Sequence, residues 1–197
     1  KELKLKYNTN ILFAPTHDAH DITKKGKFFP LNFGDQLDKL EELIIFLDGL
    51  KANLIIKLHH YHVDQVFNDR FKKFNNVYIF KSGSFFNTKD SSIFLKNSDV
   101  IITDTSGVAT SGVFLNKKII FLEPTSKDWD WSKADIEKNL RPGYICFNYQ
   151  DLEKSLRNNI LKKDIFKKNR KKFIKKVFYK PNKDANIEIA QFIKSIS

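Results

Sequence analysis

The sequence predicts an α/β fold of three layers, in which a mostly parallel, doubly wound sheet of about six strands lies between helices. Six short runs rich in β-branched and aromatic residues show little polar alternation, which is typical of strands buried on both faces. Segments with helical spacing separate most of these runs, and strands that alternate with helices pair in parallel through crossover connections. We expect one domain over residues 1–197, since a chain of this length can bury a core.

The predicted strands have the length of buried strands and are bounded by polar or small residues. They cover residues 10–14, 53–58, 76–80, 99–103, 118–122 and 144–147. Cys146, the single cysteine, lies in the last of them and is predicted to be a core residue. One cysteine excludes an internal disulfide and any zinc cluster built on several thiolates.

Helices are predicted between and after the strands. Leucine and isoleucine recur at helical spacing from Leu37 to Leu50, and Asp35 stands where an N-cap is expected. Weaker patterns occupy 63–74, 90–97, 106–115 and 150–160. Residues 162–180 are predicted to form a basic helix that ends before Pro181, and a last amphipathic helix follows. The predicted apolar face of the basic helix consists of Ile165, Phe166, Phe173 and Val177.

The positive charge is concentrated near the C-terminus. Residues 151–197 hold 14 Lys or Arg against 5 Asp or Glu, which is +9 of the formal net charge of +12. Such a stretch suits nucleic acid, anionic lipid or an anionic polymer, and a solvated helix face explains it equally well. The stretch lacks the interleaving of exposed aromatic residues and glycine that is typical of strand-binding surfaces, so nucleic acid is not predicted.

The cellular compartment is predicted from two absences in the sequence. No run is long enough to span a bilayer, and the N-terminus lacks the apolar core of a signal peptide. We therefore expect a cytoplasmic chain. The chain starts at Lys1 and contains no Met, so we also expect that an upstream part is missing.

The segments that follow the strands are the candidate binding loops, because ligands of parallel sheets bind at the carboxyl ends of the strands. All five histidines fall in two of these segments, 15–20 and 59–62. Their spacing after a strand turns alternate residues to opposite faces, which argues against zinc. Histidine that donates to a phosphate explains the clustering without metal. Neither a metal nor a cofactor is predicted.

The segment TDTSG, residues 103–107, is a candidate anion site. It offers three hydroxyls and backbone amides where a helix begins, and a helix N-terminus carries partial positive charge. Simple N-capping by Asp104, Thr105 or Ser106 explains the same residues, so both interpretations stay open. The glycine-rich signatures of dinucleotide and P-loop sites are absent, as is the nucleophile elbow of hydrolases.

Three segments together resemble one enzyme family. ILFAPTHDAH, LIIKLHHYH and SDVIITDTSGVATSGVFLNKKIIFL resemble, in order and spacing, the YAPTWR, RxH and SDxLITDYSSxxFDY segments of CDP-glycerol glycerophosphotransferases. NLRPGYICFNYQDLEKSL and KPNKDANIEIAQFI resemble later segments of the family, so the likeness covers nearly the whole chain. These transferases elongate teichoic-acid and related capsular polymers.

The resemblance implies a fold, a reaction and partners. The family has two Rossmann-like domains in the GT-B arrangement, and this chain resembles the C-terminal, donor-binding one. The N-terminal half, with the acceptor site and a catalytic-base histidine, has no counterpart here, so the chain is expected to bind donor without turnover. The implied partners are a nucleotide-activated polyol or sugar and an anionic polymer or lipid-linked acceptor. Basic C-terminal helices would meet the inner face of the membrane.

The resemblance also implies site residues. The implied catalytic residues are His59, which takes the place of the histidine that stabilises the donor phosphates, and Lys57, which takes the place of the family arginine. The implied donor-binding residues are Pro15, Thr16, His17, Thr103, Asp104, Thr105, Ser106, Gly107, Thr110 and Ser111. Thr105 and Gly107 replace Tyr and Ser of the family pattern. Thr110 and Ser111 replace its Phe-Asp pair, which leaves the donor as CDP-glycerol, another CDP-polyol or a sugar nucleotide.

Two other functions are considered. The segment TDTSGVATSG also resembles the DSGGxxEE loop of UDP-GlcNAc 2-epimerases, which favours a UDP-sugar glycosyltransferase or an epimerase-like domain. The missing Glu pair at Thr110 and Ser111 argues against it. The other alternative is a non-catalytic module that binds anionic lipid or polymer through the basic C-terminal stretch.

Overall fold

The computed structural model describes residues 4–14, 36–57, 70–80, 92–103, 107–122, 142–177 and 194. The strands are β1 (Thr9–Phe13), β2 (Ala52–Lys57), β3 (Val77–Phe80), β4 (Val100–Thr103), β5 (Lys118–Leu122) and β6 (Tyr144–Cys146). The helices within the described residues are α1 (Gln36–Gly49), α2 (Ser92–Asn97), α3 (Gly107–Phe114), α4 (Tyr149–Leu161) and α5 (Lys167–Val177).

The six strands form one sheet in the order β3-β2-β1-β4-β5-β6, and every neighbouring pair is parallel. The predicted α/β fold is therefore confirmed, and each predicted strand is found within one residue at either end. The strands were recognisable because both of their faces are covered, which makes their sequences almost continuously apolar.

Alternate residues of the strands enter two separate cores. Ile11 and Phe13 of β1 belong to the core that α1 and α4 cover, whereas Leu12 and Ala14 belong to the core that α2, α3 and α5 cover. This alternation is the period of two that an extended strand imposes. The result is the predicted three-layer arrangement, with Cys146 fully buried in the first core.

A buried asparagine, Asn53, links neighbouring chain segments at the amino edge of the sheet through hydrogen bonds. The Asn53 Nδ2 atom donates to the Tyr7 carbonyl at 2.6 Å and to Asn10 Oδ1 at 2.7 Å, and Asn53 Oδ1 accepts from the Tyr7 N–H at 3.1 Å. Next to it, the Asn10 N–H donates to the Asp99 carboxylate at 2.8 Å. These bonds fasten the segment before β1 to the starts of β2 and β4.

The predicted basic helix over 162–180 is wrong at its start. α4 ends at Leu161 and α5 begins at Lys167, because the Asp164 carboxylate accepts the Phe166 N–H at 3.1 Å and forms a turn. The ring of Phe166 packs edge-on against Tyr144, with ring centroids 4.8 Å apart. The predicted apolar face is also wrong in part, since Ile165 and Val177 are exposed while Phe173 is buried.

Some of the other predicted helices are found in the structure, and some lie outside the described residues. The main predicted helix corresponds to α1, and the weaker patterns at 90–97, 106–115 and 150–160 correspond to α2, α3 and α4. Of the pattern at 63–74, residues 63–69 lie outside the described residues, and Arg70 and Phe71 are helical. The predicted cap at Asp35, Pro181 and the last amphipathic helix, apart from the helical Lys194, also lie outside the described residues.

Arg170 is the one buried cation among the described residues, with 1% of its surface exposed. Its guanidinium donates through two nitrogens to the Asp164 carboxylate and through Nε to Asn116 Oδ1 at 3.1 Å. Asn116 adopts a left-handed backbone (φ 56°) just after α3. Burial alone would raise the pKa of Asp164, but the hydrogen bonds and charge of Arg170 outweigh it, so this pKa is lowered.

We predict that Asp164→Asn lowers the free energy of unfolding by about 3 kcal/mol at neutral pH, because it leaves the buried Arg170 charge without its carboxylate. The lowered pKa means that this stability is present above the unfolded pKa of about 4 and is lost as the pH falls through the folded value. Urea unfolding from pH 7 to pH 2 measures both effects. Glu42→Gln, in the exposed Lys39–Glu42 pair, is the matched control and should cost less than about 0.5 kcal/mol.

Gly112 sets how closely α3 approaches the sheet. A Cβ atom there would lie 2.5 Å from Ile101 Cδ1 and 2.8 Å from Ile119 Cδ1, and both isoleucines are buried. Gly112→Ala should therefore destabilise the fold by about 1–2 kcal/mol although alanine favours helices. Gly49→Ala, where a Cβ would meet nothing within 4 Å, should be neutral or stabilising in the same urea titration. Equal stability of the two variants would contradict this prediction.

Candidate functional site

The strand order reverses between β1 and β4. From β1 the chain continues to α1, which covers one face of the sheet, and from β4 it continues to α3, which covers the other face. The order 3-2-1-4-5-6 is that of dinucleotide-binding sheets, and such a reversal opens a crevice at the carboxyl ends of the two central strands. The crevice between β1 and β4 is therefore where a ligand is expected.

Three residues form one row across the carboxyl edge. Phe13 is in register with Ile56 of β2 and with Ile102 of β4, so the next residues along the three strands, Lys57, Ala14 and Thr103, lie side by side. Their neighbours two positions back belong to the core beneath α2, α3 and α5, so the side chains of the row point to the α3 face. We call Lys57, Ala14 and Thr103 the edge row.

The middle of the edge row is held by two hydrogen bonds. The Ala14 N–H donates to the Ile102 carbonyl at 3.0 Å, and the Thr103 hydroxyl donates to the Ala14 carbonyl at 2.7 Å. Thr103 is fully buried and Ala14 is 3% exposed. The hydroxyl of Thr103, a predicted donor-binding residue, thus holds Ala14, the residue that follows β1, next to β4.

Lys57 supplies positive charge at this edge. It is the last residue of β2 and is half-buried, and this burial lowers the pKa of its ammonium group. A partly desolvated ammonium gains more from a nearby phosphate than one in open water, because less hydration is lost when the anion arrives.

α3 begins shortly after the carboxyl end of β4. Gly107 begins the helix, is exposed, and has open space where a side chain would stand. Thr110 and Ser111, three and four positions later, share a helix face with it, while Ala109, Gly112 and Val113 are buried against the sheet. α3 carries no charged residue, so the partial positive charge of its N-terminus is not neutralised by a carboxylate in its first turn.

The remaining predicted site residues lie outside the described residues. They are Pro15, Thr16, His17, His59, Asp104, Thr105 and Ser106. Each of the three segments that contain them directly follows a member of the edge row in the sequence or comes within two residues of it. Lys57, Thr103, Gly107, Thr110 and Ser111 are thus the predicted site residues whose positions are known.

Two observations concern metal binding and the reactivity of the single cysteine. Within the described residues, no group of three or more His, Cys, Asp and Glu side chains could hold a metal ion. Burial raises the pKa of the Cys146 thiol to about 12, so this cysteine stays protonated and unreactive at neutral pH.

The sequence did not show which strands are adjacent in the sheet. The pattern located the carboxyl ends but could not show that β1 lies next to β4, and therefore that the segments at 15–17 and 104–106 start from adjacent strands. The role of the Ala14 carbonyl as acceptor for Thr103 was missed for the same reason. The signal that could have indicated it is a threonine, with its hydroxyl, at the end of an otherwise apolar buried strand.

A family model described as CDP-Glycerol:Poly(glycerophosphate) glycerophosphotransferase matches residues 1–195. The chain belongs to this family. The match covers both halves of the sheet and the edge row, as the sequence resemblance predicted. A search of the curated proteins finds no match.

Solved structures show the same fold. Two single-residue variants of the wall teichoic acid polymerase TagF align over 98% of this chain and 45% of theirs, with TM-scores of 0.65 and 0.62 and identities of 21% and 18%. A TagF variant soaked for 30 minutes with CDPG aligns with a TM-score of 0.60 at 20% identity, over 98% of this chain and 43% of the other. A protein of Listeria monocytogenes named as a UDP-N-acetylglucosamine 2-epimerase aligns over 83% of this chain and 40% of its own, with a TM-score of 0.55 and 15% identity.

The chain spans less than half the length of the solved structures it matches. At these identities the likeness establishes the Rossmann-like α/β fold, which TagF and the Listeria protein share with this member of the glycerophosphotransferase family. Among the helices of the described residues, none has the length and apolar content needed to cross a membrane.

We predict that Thr103→Val lowers the free energy of unfolding by about 1–2 kcal/mol, because it leaves the buried Ala14 carbonyl without the hydroxyl donor. Thr103→Ser keeps that donor and is the matched control. Urea unfolding measures the difference between the two variants. Equal losses in both would show that the methyl group, and not the hydrogen bond, matters at this position.

Proposed function

We propose that this chain is the donor-binding domain of a CDP-glycerol-type glycerophosphotransferase that builds a cell-surface polymer of the teichoic-acid or capsule class. The observation that carries the proposal is the edge row at the strand reversal, with Lys57 on one side and the start of α3 on the other. Membership of the family supports it. Residues 1–197 form this one domain, and the acceptor-binding half belongs to a part outside the chain.

The donor is proposed to bind with its diphosphate in the crevice between β1 and β4. The amides at the start of α3, near Gly107, and the ammonium group of Lys57 would stabilise the phosphate oxygens. His59 and the segment Asp104, Thr105 and Ser106 would complete the phosphate site. Pro15, Thr16 and His17 would border it from the β1 side.

The proposed reaction transfers glycerol phosphate. An acceptor hydroxyl attacks the β-phosphorus of CDP-glycerol, the bond from that phosphorus to the bridging oxygen breaks, and CMP leaves with the electron pair. The product is a phosphodiester, and the acceptor proton passes to a base outside this chain. Lys57, His59 and the N-terminus of α3 would stabilise the charge that develops on the phosphates and on the leaving CMP.

The polyol end of the donor is proposed to lie along α3. Thr110 and Ser111 share the face of Gly107 and could donate hydrogen bonds to hydroxyls, where the family pattern has Phe and Asp. Among the solved relatives, a TagF variant was soaked with CDPG, which supports a CDP-activated donor for this chain. The acceptor is proposed to be an anionic polymer or a lipid-linked primer of that polymer.

Calorimetric titration of the chain with CDP, CMP and UDP tests the proposal. CDP should bind most tightly, and Ser106→Ala or His59→Ala should weaken it by roughly tenfold through loss of a hydrogen bond to charge. Tighter binding of UDP would favour a UDP-sugar glycosyltransferase or an epimerase-like domain instead. The absence of any nucleoside diphosphate binding at millimolar concentration would remove the donor-domain proposal.

Lys57→Gln should weaken CDP binding by roughly tenfold, since it removes a charge-assisted hydrogen bond to phosphate. Lys51→Gln is the matched control, because Lys51 precedes the same strand at the opposite edge of the sheet. Affinity for CDP should also fall as the pH rises through the lowered pKa of Lys57, earlier than for a fully solvated lysine. This alkaline loss should vanish in Lys57→Gln. Equal affinities of the two variants would place the phosphates away from the edge row.

A further inference from the structure

The C-terminal end of α3 is tied to α5 through a buried arginine. Asn116 follows α3 with a left-handed backbone (φ 56°). Its N–H donates to the Val113 carbonyl and the Lys117 N–H donates to the Gly112 carbonyl, each at 2.9 Å. This pair of bonds is the Schellman arrangement that ends many helices. The Asn116 side chain contacts α5, because its Oδ1 atom accepts from Arg170 Nε at 3.1 Å.

The backbone at this position does not by itself require asparagine. Glycine adopts a left-handed conformation most easily and is the commonest residue after a helix. Asparagine tolerates the same conformation and adds a side-chain oxygen. Here that oxygen accepts from the guanidinium of Arg170, which is 1% exposed and already donates through both terminal nitrogens to the Asp164 carboxylate. The bond to Asn116 therefore links α3 to an ion pair whose charges are already paired.

α3 meets the sheet through small residues. Its buried residues are Ala109, Gly112 and Val113, so only one buried side chain of this helix is larger than alanine. Gly112 lies against the sheet with its backbone, since a Cβ atom there would overlap Ile101 and Ile119. Such a smooth contact opposes sliding of a helix less than interdigitated side chains do. The hydrogen bond from Arg170 restrains that movement at one end of α3.

A displacement at the end of α3 is carried to its beginning. The helix has 8 residues, which is about 12 Å at the helical rise of about 1.5 Å per residue. Its backbone hydrogen bonds make so short a helix stiff, so a shift at Asn116 reaches Gly107 at nearly full size. Binding groups have to be placed to within about 0.5 Å, and a shift of that size weakens the contacts they make.

We infer that Asn116 is a positioning residue for the donor phosphates, on which it acts by holding α3 through Arg170. The inference rests on the proposed function, since it concerns the phosphate site at the start of α3. Asn116 lies at the other end of that helix and acts only through it. The basic helix α5 thereby becomes part of the support of the phosphate site, through its one buried cation.

Calorimetric titration of the full chain with CDP tests the inference on two variants of Asn116. Asn116→Gly keeps the left-handed backbone and removes the side-chain oxygen. It should weaken CDP binding by roughly fivefold, the size of effect that residues remote from a ligand have through a displaced element. Asn116→Asp keeps an oxygen acceptor at the same place and should bind CDP like the unchanged chain.

Asn76→Ala is the matched control for lost stability. Asn76 is also a buried asparagine, and its Nδ2 atom donates to the Ile44 and Ala52 carbonyls at 3.0 Å and 3.3 Å. These partners belong to α1 and to the start of β2, away from α3. The variant should lower the urea midpoint at least as much as Asn116→Gly, yet it should bind CDP like the unchanged chain wherever both are folded.

The amide signal of Gly107 in nuclear magnetic resonance gives a readout that needs no nucleotide. A variant that is only less stable keeps its native chemical shifts, whereas displacement of α3 changes the shift at Gly107. This signal should therefore move in Asn116→Gly, be restored in Asn116→Asp and stay unchanged in Asn76→Ala.

The outcomes separate the inference from the proposed function. Equal CDP affinities of Asn116→Gly and the unchanged chain, or equal losses in Asn116→Gly and Asn76→Ala, would overturn the inference. If the unchanged chain binds no CDP at millimolar concentration, the proposed function fails and the Gly107 signal decides. An unmoved signal in Asn116→Gly then overturns the positioning of α3 by Asn116, and a movement that Asn116→Asp reverses supports it.

Discussion

The parallel pairing of β1 with β4 is the contact on which the rest of the structure depends. Only three residue pairs join these strands, and hydrogen bonds fasten both ends of the short ladder. At the amino end, Asn10 and Asp99 exchange two bonds of 2.8 Å, and at the carboxyl end Thr103 donates to the Ala14 carbonyl. Because this pairing reverses the strand order, it decides which strand ends are adjacent at the carboxyl edge and which helices cover each face.

The sequence predicted the positions of the strands, which depend on local residues. It did not predict features that depend on contacts between residues distant in the chain. Strands were recognisable because burial on both faces removes polar residues, which any window of five residues shows. The neighbours of each strand depend on contacts across the whole chain, so the β1–β4 crevice could not be derived. Asp164 and Arg170 have ordinary helical residues around them, yet the Asp164 carboxylate accepts the Phe166 N–H where the predicted helix is interrupted. The same carboxylate accepts from Arg170, which is a buried cation of the basic stretch.

The positive charges of this chain therefore serve different physical purposes at different places. Arg170 is internal and joins two turns, and Lys57 is half-buried, so its ammonium group gains from an approaching anion. The exposed lysines after α4 stand beside exposed apolar side chains at the opposite edge. The net charge counts all of these cations equally, although they differ in burial and in the groups next to them. The composition could therefore indicate an anionic partner but not where it would bind.

The composition of α3 is unfavourable for an isolated helix, and packing against the sheet compensates for it. Its sequence, GVATSGVF, contains two glycines and several β-branched or hydroxyl residues, and an interior glycine such as Gly112 costs about 1 kcal/mol relative to alanine. Packing compensates, since Gly112 lets the helix lie directly on Ile101 and Ile119. A larger residue would lift α3 from the sheet and carry Gly107 away from the edge row. Small residues in this segment therefore exchange intrinsic helix stability for close packing of α3 on the sheet, which also sets the distance between Gly107 and the edge row.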